Sequence, residues 1–189
     1  MSFIINAKGI AWSPCGTILV MPNHSLRYLV VLFDWGDTVM RDYPEITTPM
    51  VEWDTVEVVD GIAEVLAFLH ASGRRIVLAT SAQISDEAQI RGALARGGLE
   101  RYFSHVFCFK NTNLPKGEAF YRHILEALNI SASDAMMVGD GFEKDVQIPN
   151  ALGMFAVWFN PRTEEMRQGE LHVTVHSMGE LKRFFETLV

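Results

Sequence analysis

The sequence predicts an α/β fold, a doubly wound, Rossmann-like parallel sheet with helices on both faces. Three observations predict it. Short apolar runs alternate with segments of helical period. The runs are apolar at nearly every position, as strands buried on both faces must be. Polar residues able to do chemistry stand just beyond four of the runs.

Taken in order, residues 1–27 stand apart. They read as two short strands around the turn Ser13-Pro14-Cys15-Gly16, a hairpin appended to the sheet or an upstream extension. Residues 28–189 form the core domain, with buried strands expected at 28–33, 75–79, 105–109, 135–139 and 154–159. The stretch GIAEVLAFLHASG puts Ile62, Val65, Leu66 and Leu69 on one helical face and stops at Gly73. In AFYRHILEAL, Phe120, Ile124, Leu125 and Leu128 repeat the pattern. Residues 39–60, between the first strand and the first helix, are too few for a further domain and form a flap with Tyr43, Met50 and Trp53. No internal repeat or linker divides the chain.

Composition narrows the function. With 189 residues, 49% hydrophobic and 21% charged, the chain is long enough to bury its own core. A net charge of -7 argues against nucleic acid as a partner, since affinity for a phosphate backbone needs clustered Lys and Arg. Cys15 and Cys108 form no metal-ligand pair and read as free thiols in a reducing cytoplasm. No apolar run approaches the ~20 residues of a membrane span, and the N-terminus lacks the pattern of a signal peptide, so a cytoplasmic location without membrane contact is expected.

In open α/β sheets, ligands bind at the carboxyl ends of the strands. Asp34 follows the first run. Thr80 and Ser81 follow the second, Lys116 lies beyond the third, and Asp140 follows the fourth with Asp145 five residues on. Each alone has an ordinary reading as a turn former, helix cap or surface charge. Together, in this order, they bring an acid, a hydroxyl, a cation and two further acids to one crevice.

That order resembles the haloacid dehalogenase-like hydrolase superfamily over roughly residues 28–188. Its first motif appears as Asp34-Trp35-Gly36-Asp37-Thr38, its second as Thr80, its third as Lys116 with Lys110 as the alternative, and its fourth as Gly139-Asp140 with Asp145. The resemblance implies a Mg²⁺-dependent phosphatase working through an aspartyl-phosphate on Asp34, with Asp34, Asp140 and the Gly36 backbone carbonyl as metal ligands. Thr80, Ser81, Lys116 and backbone N–H groups around Gly36 and Asp37 bind the phosphoryl group, and Asp145 orients Lys116 or metal-bound water. With only residues 39–60 as insert, the large cap domain of many relatives is absent and the crevice is expected to be open.

One departure stands out. Phosphatases of this family usually carry a second aspartate two residues after the nucleophile, as general acid and base, and this chain has Gly36. Either the leaving group departs unprotonated, or Asp42, Glu45 or Glu143 supplies the acid, or catalysis has been lost. The Asp140–Asp145 spacing disfavours the metal-free dehalogenases, and the absence of any lysine from Val39 to Arg75 disfavours the phosphonatases. The expected function is a magnesium-dependent phosphohydrolase acting on a phosphorylated small molecule or phosphoprotein, with a non-catalytic phosphate- or protein-binding module as the alternative.

Overall fold

The computed structural model describes residues 28–188 and, upstream of them, three short strands, β1 (Ile4–Ile5), β2 (Ile10–Trp12) and β3 (Ile18–Val20). These pair antiparallel in that order as a sheet of their own. The two strands expected on either side of the Ser-Pro-Cys-Gly turn are β2 and β3; β1, too short to register as an apolar run, adds a third, and the three are not part of the main sheet. The Ser-Pro-Cys-Gly turn lies outside the described residues.

The main sheet holds β4 (Val30–Phe33), β5 (Arg75–Ala79), β6 (Phe103–Phe107), β7 (Ala135–Gly139), β8 (Phe155–Phe159) and β9 (His172–Val175). All are parallel, in the order β6-β5-β4-β7-β8-β9. Every residue of β4, β7 and β8 is buried, which is why these strands stand out as unbroken apolar runs. The edge strand β6 exposes Ser104 and His105, so the run expected at 105–109 is displaced by two residues, and Phe109 instead opens α3 (Phe109–Thr112). The other edge strand, β9, mixes polar and apolar residues and was not expected at all.

Helices α1 (Ile62–Ala71), α2 (Glu87–Arg96) and α6 (Met178–Glu186) cover one face; α4 (Glu118–Leu128) and α5 (Ile148–Ala151) cover the other. The four apolar residues expected to share a face of α1 are all buried, each contributing about 1.5–3 kcal/mol by leaving water. Gly73 ends the turn after α1 with φ +78°, a conformation costly for any side chain. On α4 the inward set is Phe120, Tyr121, Ile124 and Leu128, with Leu125 packed at its margin. Among the described residues no helix is long and apolar enough to cross a membrane.

The segment 39–60 is a packed flap. Its two ends are joined by hydrogen bonds from Val59 N to Val39 O (3.0 Å) and from Arg41 N to Glu57 O (2.9 Å). Its middle is clamped by Arg96, in the last turn of α2, whose guanidinium donates to the carbonyls of Val51 (2.8 Å), Trp53 (2.5 Å) and Asp54 (2.9 Å). Trp53 is buried, donates Nε1–H to Thr48 O at 3.0 Å and packs against Tyr43.

Candidate active site

The strand order reverses at β4, which has β5 on one side and β7 on the other, so the crevice at their carboxyl ends is the place for a ligand. Phe33 is level with Leu78 and Val138, which brings Asp34, Thr80 and Asp140 to adjacent strand ends. Asp34 N donates to Val138 O at 2.9 Å and fixes the end of β4 against β7. Beyond it the chain turns tightly, the Trp35 carbonyl accepting from both Val39 N and Met40 N at 2.9 Å. Asp37 sits at the turn with φ +53°, a conformation Asp tolerates better than bulkier residues.

Lys116, just before α4, reaches back under this turn. Its Nζ donates to Asp34 Oδ1 at 2.6 Å and lies 2.6 Å from Asp145 Oδ1, with the Lys116 side chain 1% exposed. Asp145 stands on a single π-helical turn, Phe142–Gln147, and its Oδ2 accepts from Gly141 N at 2.9 Å. A Cβ at Gly139 would collide with the Asp145 carboxylate, so the folding back of that side chain accounts for this glycine. Carboxylate oxygens of Asp34, Asp140 and Asp145 all lie within 4.8 Å of one another. Trp158 Nε1 donates to Asp140 O at 2.9 Å and holds the backbone there.

Two carboxylates thus share one ammonium, with the Asp140 carboxylate close by. Burial raises the Asp34 carboxyl to about 7, with Lys116 opposing that rise and Asp145 and Asp140 adding to it. Asp140 is also held above the usual carboxylate range, by burial and by Asp145. Burial disfavours the Lys116 ammonium, but Asp34 and its neighbours outweigh it and keep the lysine charged. Surplus negative charge on hard oxygen donors suits a divalent cation such as Mg²⁺. With one oxygen facing Lys116 and the other bonded to Gly141 N, Asp145 is better placed to orient the lysine than to bind metal.

A cavity of about 540 Å³ opens beside these acids. Thr80, Ser81 and Asp37 line it; Thr80 Oγ1 accepts from Ala82 N at 3.0 Å and keeps its own proton to donate. One expectation is corrected: the Asp37 N–H is bonded to Met40 O at 2.7 Å, because the turn closes on itself, and is no substrate donor. The clamped flap walls one side of the cavity. Lys110 donates to Ile84 O at 2.6 Å and does not join the acid cluster.

Gly36 has Asp42 close against it. A Cβ built there would meet Asp42 Oδ2 at 3.2 Å and Asp42 Cβ at 3.3 Å, a tight contact, so the Asp42 side chain lies beside the place where a side chain at 36 would begin. Asp42 lines the cavity; Glu45 and Glu143 do not. Burial, then repulsion by Asp37, raises the Asp42 carboxyl above its ordinary value.

Arg162 was missed. It lies beyond the carboxyl end of β8 and pairs with Asp37 and, at 3.3 Å, with Asp140. A basic residue three positions after an apolar run, in the sequence WFNPR, was the available signal.

Comparison with known proteins agrees with this geometry. Pyrimidine 5'-nucleotidase PynA of Streptococcus pneumoniae (strain ATCC BAA-255 / R6) is 32% identical over 93 residues, 48% of this chain and 39% of that protein, so the match spans well under half of the relative. An uncharacterized protein from Listeria monocytogenes serotype 4b superposes with TM-score 0.73 at 22% identity, covering 84% of this chain and 97% of the other. A HAD phosphatase from Thermococcus onnurineus gives TM-score 0.66 at 18% identity, covering 82% and 96%; both are likenesses of fold. Residues 33–153 match the haloacid dehalogenase-like hydrolase family, and with both carboxylate motifs inside that span, the chain belongs to it.

Proposed function

We propose that this protein is a magnesium-dependent phosphohydrolase that removes phosphate from monoesters through an aspartyl-phosphate. The observation that carries the reading is the buried Asp34–Lys116–Asp145 arrangement, with Asp140 beside it and a cavity lined by Asp34 and Asp140. Asp34, Asp140 and the Gly36 carbonyl would hold Mg²⁺, which when bound neutralises charge between the carboxylates and the phosphoryl group. The nucleotidase name of the partial relative supports phosphate monoesters as the substrate class.

The chain's own residues divide the work. Lys116 holds Asp34 in place and favours its ionised form, and Asp145 fixes the lysine. An Asp34 oxygen attacks phosphorus; the new O–P bond forms as the ester O–P bond breaks. Thr80 donates to a phosphoryl oxygen that is not transferred, and Ser81 lies beside it. Asp42 supplies the acid that Gly36 lacks, giving its proton to the departing oxygen. It then takes a proton from the water that attacks the aspartyl-phosphate, which releases phosphate and restores Asp34. Its approach to the Gly36 position and its raised carboxyl support this over Glu45 and Glu143. The free, buried Cys108 is consistent with a reducing cytoplasm, the compartment we propose.

Hydrolysis of p-nitrophenyl phosphate is expected to require Mg²⁺ and to fall by about 10⁴-fold or more in Asp34→Asn. Turnover indifferent to that substitution, or none in the wild type, favours the non-catalytic module. Mg²⁺ should raise the wild-type Tm and leave that of Asp140→Ala unchanged.

A further inference from the structure

The cavity is lined by two unlike sets of residues. One is the acids Asp34 and Asp140; the other is apolar and includes Met50, Trp53, Ile46 and Ile84. Ile46 and Ile84 are two of the four large hydrophobic residues that the described residues expose. They come from separate segments, the flap and the loop after β5. Single exposed apolar residues need no explanation, but two of four meeting at one cavity mark a binding surface. Both are held in place: Ile46 N donates to Tyr43 O at 2.9 Å, and Ile84 O accepts from Lys110 Nζ at 2.6 Å.

Charge restricts the ligand further. The cavity is lined by Asp34, Asp37, Asp42 and Asp140 against one cation, Arg162, which is already paired with two of them. Behind the wall Lys116 and Asp145 offset one another. A divalent cation and a phosphate dianion also offset one another, so even with Asp42 protonated to act as the acid, Asp34, Asp37 and Asp140 outweigh Arg162 and leave the cavity with a negative excess. A second carboxylate or phosphate there is repelled. A cationic head gains from the charge but finds isoleucine, which offers it no ring face.

We propose that the site takes phosphate monoesters of a flat, uncharged ring, as in a nucleoside 5'-monophosphate or an aryl phosphate, with Ile46 and Ile84 covering the ring. The volume of about 540 Å³ suits such a molecule. The inference rests on the phosphohydrolase reading for the end at which the phosphate sits.

Binding without turnover separates the two. Calorimetry on Asp34→Asn with Mg²⁺ would compare uridine 5'-monophosphate, ribose 5-phosphate, phosphoglycolate and phosphocholine. The expected result is a Kd for uridine 5'-monophosphate about 10-fold or more below that of ribose 5-phosphate, which has the same phosphate and no base. In the same background, Ile84→Ser and Ile46→Ser should each weaken the nucleotide about 5-fold and leave ribose 5-phosphate within about twofold. Both positions are exposed, so folding is preserved, and an unchanged Tm checks it. Ribose 5-phosphate, phosphoglycolate or phosphocholine binding as tightly as the nucleotide overturns the proposal. So does equal weakening of nucleotide and sugar phosphate by the serines, or no binding of any of the four. Loss of the phosphohydrolase reading would instead appear as turnover indifferent to Asp34→Asn.

Discussion

The strand-end cluster and the flap border the same cavity but are held in opposite ways. At the strand ends, Asp34, Lys116 and Asp145 are buried and fixed by ion pairs and by glycines that admit no side chain. The flap is exposed at Asp42 and Ile46 and is pinned from behind, by backbone bonds and the Arg96 guanidinium. Charges held in a dry, rigid frame keep the geometry that phosphoryl transfer needs, whereas an exposed segment can change its side chains without disturbing the sheet. The motif residues shared by the family therefore sit at the strand ends, while the proposed acid, Asp42, and one of the two proposed ring contacts, Ile46, sit on the flap.

The largest effect expected is at the strand ends. Lys116→Met leaves two carboxylates buried without their shared cation, and the free energy of unfolding in urea should fall by about 3–5 kcal/mol. A loss under about 1 kcal/mol would mean that water reaches these acids and that the contrast with the flap is overdrawn.

Gly36→Asp sharpens the contrast at the point where the regions touch. The backbone is not the obstacle, since Gly36 has no positive φ; Asp42 is. The substitution should slow hydrolysis of an alkyl phosphate by up to about 10²-fold, the low end of what a displaced acid costs. Gly36→Asp combined with Asp42→Gly should recover most of the rate. Faster alkyl turnover by the single variant would show that the place of the acid was vacant.

Arg96→Ala has the smallest expected effect. It removes the three hydrogen bonds that clamp the flap, so stability should fall by about 1–2 kcal/mol. The KM for p-nitrophenyl phosphate should rise several-fold with kcat nearly unchanged. An equal fall in kcat would place the flap in the chemistry more deeply than the contacts of Asp42 imply.

The two regions also differ in how well the sequence reveals them. Asp34, Thr80 and Asp140 could be read because each follows an unbroken apolar run and the parallel register brings the ends of such runs together. The glycines around Asp140 were legible as a motif, but their cause, the Asp145 carboxylate folded against them, needs coordinates. Edge strands β6 and β9 were displaced or missed because solvent on one side breaks the apolar pattern. Helices α2 and α6 were passed over although their caps are visible: Asp86 with Gln89, and Ser177 with Glu180. Arg162, Arg96 and the two isoleucines act across separations of tens of residues, and no local spacing announces such contacts.

The division of labour turns on whether the flap supplies the missing acid, and single-turnover rates over a leaving-group series test this most directly. Wild type and Asp42→Asn should be compared on aryl and alkyl phosphates with Mg²⁺ saturating. The wild-type rate should depend weakly on leaving-group pKa, and Asp42→Asn should depend steeply on it, losing about 10²-fold or more on alkyl esters and little on p-nitrophenyl phosphate. Equal slopes in the two proteins, with chemistry the slow step in both, would contradict an acid at Asp42.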